Sequence, residues 1–349
     1  MHNFFQISYK QPAFAIFVKL RDLVSLWQIL WRKVTQSLSG QYIGLTMNII
    51  KKISGQIFLL LLILLMAAET FAGFRNMQDQ AGRMVQVPDD PQRVVALAPS
   101  VTEIIFALKQ EKRLAGVTRF SDYPPQAQQL PKVGSYIQLD LEKIVALKPD
   151  LCIAIKDGNP IDVISRLEDL GVPVYAVNPT NLNSVMEAIR NIGKLLRIEA
   201  QAETLITEME KRIDRIKKLS AEIPHKPGVF FQIGISPIVA VGKDSFLHEL
   251  ILTAGARNLS EGDVPYPRFS QEQVLALSPE IIIITSMARG EIFQQVKKDW
   301  EKWPDLPAVK NGQIHIVDSD VLDRPGPRMV EGLEYLFRLF HPEFTGKEQ

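Results

Sequence analysis

The 349-residue chain predicts an α/β fold: two Rossmann-like α/β lobes joined by one long rigid helix. Three observations carry that prediction. The first is a repeat. Residues 141–155, LEKIVALKPDLCIAI, and residues 271–285, QEQVLALSPEIIIIT, set a Glu, an Ala-Leu, a Pro, an acidic residue and an apolar run in one order, 130 residues apart. The second is the alternation of short β-branched runs with helical stretches in both halves, as a parallel sheet covered by helices requires. The third is residues 199–221, EAQAETLITEMEKRIDRIKKLSA, which contain no Gly or Pro and space Leu205, Met209, Ile213, Ile216 and Leu219 as one helical stripe.

In chain order, the segment from Met47 carries Lys51 and Lys52, then the apolar run IFLLLLILLMAA at 57–68, then Thr70-Phe71-Ala72 with small residues where a signal peptidase reads. Residues 47–72 therefore read as an export signal cleaved after Ala72, which places the product in the periplasm. A retained membrane helix is the alternative, but spanning takes about 20 apolar residues and Glu69 and Thr70 cut this run short. Residues 1–46 then lie upstream of any ordinary signal, and a start codon assigned too early, with Met47 as the true start, is the simplest account.

The first lobe is expected over 83–197, with strands at 93–99, 114–118, 151–155 and 172–177. The inter-lobe helix falls within 198–223. Its uninterrupted residues 199–221 span roughly 35 Å at 1.5 Å per residue, and one continuous helix predicts small lobe motions. The second lobe, 224–345, repeats the rhythm with strands at 228–234, 238–242, 281–285 and 313–318 and closes on the amphipathic stretch MVEGLEYLFRLF, 329–340. Within each copy of the repeat, Asp140 or Ser270 is suited to cap a helix, and Gln273 lies three after Ser270 as in a capping box. Pro149 or Pro279 stops that helix, and the run beyond it is a strand buried on both faces. Glu142 and Glu272 thus fall in the first turns of matching helices, one per lobe, where the helix dipole favours a carboxylate.

Composition narrows the function. Without residues 1–72 the chain has 33 Lys and Arg against 37 Asp and Glu, a formal charge of −4, which argues against nucleic acid as a partner. Cys152 is the single cysteine and lies in a strand run, so no disulfide forms within the chain, and no cysteine near the cleavage site offers a lipid anchor. His225, His248, His315 and His341 are scattered without metal-ligand spacing. Ser100, in PSVTE, reads as a helix cap, not a nucleophile, and no enzyme is expected.

RVVALAPSVTEIIFAL (93–108), SDYPPQAQ (121–128), LEKIVALKPDL (141–151), FFQIGISP (230–237), VPYPRFSQEQVLALSPE (264–280) and DRPGPR (323–328) resemble the helical-backbone, or class III, periplasmic binding proteins, in particular their cobalamin and iron-siderophore branch. The resemblance covers nearly all of 90–340. It implies that a corrinoid such as cobalamin is bound between the lobes of a monomer with no resident cofactor, and is delivered to an ABC permease dimer with its ATPase subunits. It also implies ring-stacking roles for Phe120, Tyr136 and Tyr266, hydrogen bonds from Arg324 and to Asp320, and docking of Glu142 and Glu272 on permease arginines. Phe, Tyr and Tyr stand where that branch usually shows Tyr and Trp, so related corrinoids or haem stay open. Alternatively, Arg324 anchors its Pro-rich turn and Asp320 makes an Asx turn. Tyr123, beside two prolines, is expected to pack. A siderophore or haem carrier would use Arg119, Arg268 and Arg289 for anionic groups and tyrosines for iron, and a membrane-anchored sensor or scaffold would use the lobes for protein contact.

Overall fold

A computed structural model describes residues 73–243, 245–285 and 292–344. The expected signal, the start at Met47 and Arg289 lie outside them. A hairpin, β1 (Phe74–Gln78) and β2 (Met84–Pro88), opens the described chain. The first lobe follows as β3 (Val94–Ala96), α1 (Pro99–Ala107), β4 (Leu114–Val117), α2 (Leu141–Ala146), β5 (Leu151–Ile155), α3 (Ile161–Asp169), β6 (Val174–Val177) and α4 (Leu182–Leu195). Its four strands are all parallel, in the order β4-β3-β5-β6. The helix α5 (Glu199–Ala221) leads to β7 (Gly228–Gly234), β8 (Ile238–Ala240), α6 (Phe246–Thr253), β9 (Arg257–Asn258), β10 (Arg268–Phe269), α7 (Gln271–Leu277) and β11 (Ile281–Ile284). The second lobe ends with α8 (Ile292–Glu301), α9 (Pro307–Lys310), β12 (Ile314–Ile316), α10 (Ser319–Leu322) and α11 (Met329–Phe340). Its sheet runs β10-β8-β7-β11-β12, with β9 also on β7. Among the described residues no helix is long and apolar enough to cross a membrane.

The repeat folds alike in both lobes. The Asp140 side chain accepts from Lys143 N at 3.1 Å, and Ser270 and Gln273 form both bonds of a capping box. Each helix then leaves through a residue in the left-handed region, Lys148 (φ 48°) or Ser278 (φ 51°), just before its proline. The acidic residue after that proline ties down the neighbouring strand. Asp150 accepts from the backbone N–H of Gln92 and Arg93 ahead of β3, and Glu280 accepts from Gly228 N at the start of β7. β5 and β11 lie centrally in their sheets, and their apolar side chains are buried as parallel strands require.

Three expectations are corrected. The second lobe does not repeat an all-parallel rhythm: β8 returns antiparallel to β7 and β10 antiparallel to β8. Residues 235–237 are too few for a crossover, which takes a dozen or more residues. Ser100 does not cap α1. Pro99 fills the first helical position, the cap residue is Ala98 with no side-chain bond, and Ser100 is buried at the second helical position. The first lobe also reaches upstream of residue 83, because Gln80 N donates to Ala176 O and Arg83 reaches Val174 O and Glu168, fastening the hairpin beside β6.

The inter-lobe helix has the expected bounds. Met209, Ile213 and Ile216 of its stripe are buried together with Ala202 and Ile206, while Leu205 and Leu219 are partly buried. It packs along both α4 and α11, with bidentate pairs Arg190–Glu203 on one side and Arg212–Glu334 on the other. Cys152, buried in β5, has its thiol pushed up to about 12, mainly by burial, and is chemically inert there.

Candidate functional site

The strands of both lobes point their carboxyl ends at a cleft of about 720 Å³. β3 leads to Ser100, β4 to Phe120, β5 to Asp157, β6 to Asn178, and the segment after β12 supplies Asp320, Asp323 and Arg324. The aromatic side chains expected to stack on a ligand, Phe120, Tyr136 and Tyr266, all face this cleft, two from the first lobe and one from the second. Phe120 is 38% and Tyr266 56% exposed, so large rings are left open to it.

Each ring is held by local contacts. Asn159 accepts from Ile155 N and donates through Nδ2 to Leu97 O and to Tyr136 O, which fixes the Tyr136 loop over the ends of β3 and β5. The Tyr266 loop hydrogen-bonds back to β8, Ala240 N to Pro267 O at 3.0 Å and Gly242 N to Pro265 O at 2.8 Å. Gly242 is needed there, since a Cβ would lie 2.1 Å from Val264 O. Phe269, at the foot of the loop, packs edge-on against Phe230 with centroids 5.4 Å apart. Arg119 stacks over the Phe120 ring at 4.8 Å. The hydroxyls of Tyr136 and Tyr266 are pushed up, first by burial and then by the Asp323 charge, so both stay neutral phenols.

Arg324 lines the cleft, but its amino groups are engaged. Nη1 donates to Glu103 at 3.1 Å and Asp122 at 2.9 Å, and Nη2 to Phe120 O at 3.0 Å and Asp320 at 2.6 Å. Arg328 adds a bidentate pair to Glu103 and a bond to Asp320 O, and its guanidinium covers the Tyr123 ring at 3.8 Å. Three of these residues are strongly shielded, with Glu103, Arg324 and Arg328 side chains 3%, 10% and 11% exposed. The turn-anchoring role of Arg324 is thus observed, and it ties the two lobes together behind the cleft. The packing expected of Tyr123 is partial, since Arg328 covers one face of a ring that stays 41% exposed. The local Asx-type bond belongs to Asp318, which accepts from Asp320 N, while the Asp320 carboxylate turns to Arg324.

Glu142 and Glu272 do not line the cleft. Each is exposed in the first turn of its helix, one per lobe. The Glu272 carboxyl is held below the usual range by backbone N–H at the helix start and by the Ser270 hydroxyl. Arg119 and Arg268 do not line the cleft either. Among the described residues no three His, Cys, Asp or Glu come together as a metal site.

Residues 94–321 match the family model for periplasmic binding proteins. The chain belongs to that family. This periplasmic binding protein is 31% identical over 247 residues to the vitamin B12-binding protein of Pectobacterium atrosepticum, covering 69% of the chain and 85% of that relative. Its fold matches the periplasmic vitamin B12-binding protein of Vibrio cholerae at TM-score 0.63 and 28% identity, covering 74% of the chain and 99% of the other. It also matches the periplasmic haem-binding protein of Roseiflexus at TM-score 0.66 and 28% identity, covering 72% and 98%. The fold and family class are therefore as the resemblance implied, while relatives of this fold serve more than one ligand.

Sequence reasoning passed over Asp157, Asp323, Glu103 and Arg328. Glu103 and Arg328 stand inside motifs already quoted, PSVTE and DRPGPR, yet 225 residues separate the two partners. Asp323 opens the second of those motifs, with nothing in its local pattern to mark it as half-buried with one carboxylate oxygen sealed from solvent.

Proposed function

We propose that the protein is the substrate-binding component of an ABC importer, that it captures cobalamin or a related corrinoid in the cleft, and that it presents the loaded cleft to a membrane permease through Glu142 and Glu272. The observation that carries the ligand is the set of rings from both lobes around a cavity whose charged lining is three carboxylates, Asp157, Asp320 and Asp323, against one arginine. A corrin is flat, largely apolar across its faces and fringed with amide N–H donors, which suits stacked rings and carboxylate edges. The vitamin B12-binding relatives support the same reading. Two charged helix starts on a stiff frame suit two-point engagement of a two-fold permease, in which the second contact forms at high effective concentration.

Haem is the second reading, favoured by the likeness to the Roseiflexus protein. Calorimetric titration of the purified protein with cobalamin, cobinamide and haem tests the proposal. Saturable binding of the two corrinoids is expected, and haem binding without corrinoid binding would overturn it. A purified protein that carries no chromophore and binds none of the three would point to a scaffold role.

A further inference from the structure

Asp323 stands at the end of α10 on the cleft wall, and its carboxyl group is poorly provided for. Oδ2 accepts one long bond from Thr285 Oγ1 at 3.3 Å, and Oδ1 is sealed from solvent with no hydrogen-bond partner. The adjacent cation gives little relief, since Arg324 is already shared among Glu103, Asp122, Asp320 and the Phe120 carbonyl. Asp318 and Asp320 face Asp323 from its own stretch, Thr285 from the end of β11, and Tyr136 and Tyr266 from the loops opposite, with Asp157 beside Tyr266. The described lining therefore sets Asp157, Asp320 and Asp323 against the single guanidinium of Arg324, and no histidine is among it.

We propose that Asp323 sets the charge class of the ligand, making the cleft reject flat macrocycles edged with carboxylates and admit those edged with neutral amides. This rests on the cleft being the ligand site, and not on which macrocycle fills it. The chemistry follows from the excess charge. Burial, the largest cause, with Asp320 and Asp318 adding to it and Thr285 opposing, raises this carboxyl to about 7. A ligand that brings its own carboxylates must meet an ionised Asp323 above that pH, or bind together with a proton. Its affinity should therefore rise as pH falls through 7, whereas a neutral amide edge meets no such penalty.

Hemin and cobinamide are suitable probes because both are flat macrocycles, and hemin keeps its edge carboxylates ionised between pH 6 and 8. Their affinities would be measured at pH 6, 7 and 8 for the wild type and for Asp323→Asn, an isosteric change that removes only the charge. For the wild type, cobinamide should outbind hemin at pH 8, and hemin affinity should gain about tenfold on going to pH 6. Asp323→Asn should raise hemin affinity at pH 8 by about the same factor and flatten its pH dependence, while cobinamide affinity does not rise with it, so that the hemin-to-cobinamide ratio climbs. An unchanged hemin-to-cobinamide ratio in the variant, or wild-type hemin affinity independent of pH, would overturn the inference while leaving the corrinoid reading standing. A wild type that prefers hemin to cobinamide at pH 8 would overturn both the corrinoid reading and the inference, whatever the variant does. Binding of neither probe would remove both.

Discussion

Replacing Asp323 with Asn should make the ligand-free protein more stable in neutral and alkaline solution, by an amount that shrinks in acid. The carboxyl stands at about 7 in the fold against an ordinary value of 3.8. A folded-state value above the unfolded one means that the fold prefers the protonated form. Its contribution is fully present below about pH 4 and is lost as pH rises, levelling off above about 7. At 1.36 kcal/mol per pH unit the loss approaches about 4 kcal/mol, a ceiling that local relaxation and water entry bring toward about 2. The amide of Asn keeps the shape and the Thr285 contact but carries no charge. Urea denaturation of both proteins without ligand, at pH 4 to 8, reads the effect as a difference in which all other titrating groups cancel. The variant-minus-wild-type stability should climb across that range, with a midpoint shift of about 1 M urea at pH 8. A flat difference would refute the argument, because it would mean that the carboxylate is solvated or paired in solution.

Other outcomes follow from the same geometry. Glu103→Ala leaves Arg324 and Arg328 without their shared carboxylate inside the lobe junction and should cost about 3 kcal/mol in denaturant titration, well above the 0.2–1 kcal/mol of an exposed pair. Truncation of Phe120, Tyr136 or Tyr266 to Ala should weaken corrinoid affinity about thirtyfold, or about 2 kcal/mol, in calorimetry, and three unchanged affinities would move the site elsewhere. Glu142→Ala and Glu272→Ala should leave ligand affinity intact yet lower permease association and uptake, with the double variant worse than either; a double variant that transports normally would reduce both residues to helix starts. Amino-terminal sequencing of the exported protein should begin at Gly73, and residues from before Met47 would contradict both the start and the cleavage expectation.

What the sequence discloses follows from how local each signal is. β5, β7, the helix 199–221 and the helix 329–340 were read with their observed bounds, because each is an uninterrupted apolar or periodic run that needs no distant partner. The hairpin 74–88 is not legible locally: its exposed residues mix Phe74 and Met84 with Asn76, Gln78 and Gln86, which blurs any apolar–polar alternation, and its place beside β6 depends on hydrogen bonds spanning about a hundred positions. The antiparallel return into β8 was hidden because β8 has the composition of its parallel neighbours, and only the shortness of the 235–237 turn betrays it. In the site, the cleft aromatics and Arg324 could be placed through motif resemblance. Asp323 and Glu103 could not, since an acid shielded by the fold looks like any surface acid until its surroundings are assembled.

The Tyr266 loop is fastened to β8 by main-chain atoms alone, with Gly242 under it and Phe269 locking its foot, while the side chains of Val264 and Tyr266 project outward at 56% exposure each. Nothing that holds the loop depends on what those two residues are. The wall can therefore exchange the side chains it offers a guest without disturbing the frame, whereas any Cβ at position 242 would dislodge the whole segment. A lineage built this way can change its cargo by one or two substitutions at the tip of a loop, provided that one glycine stays.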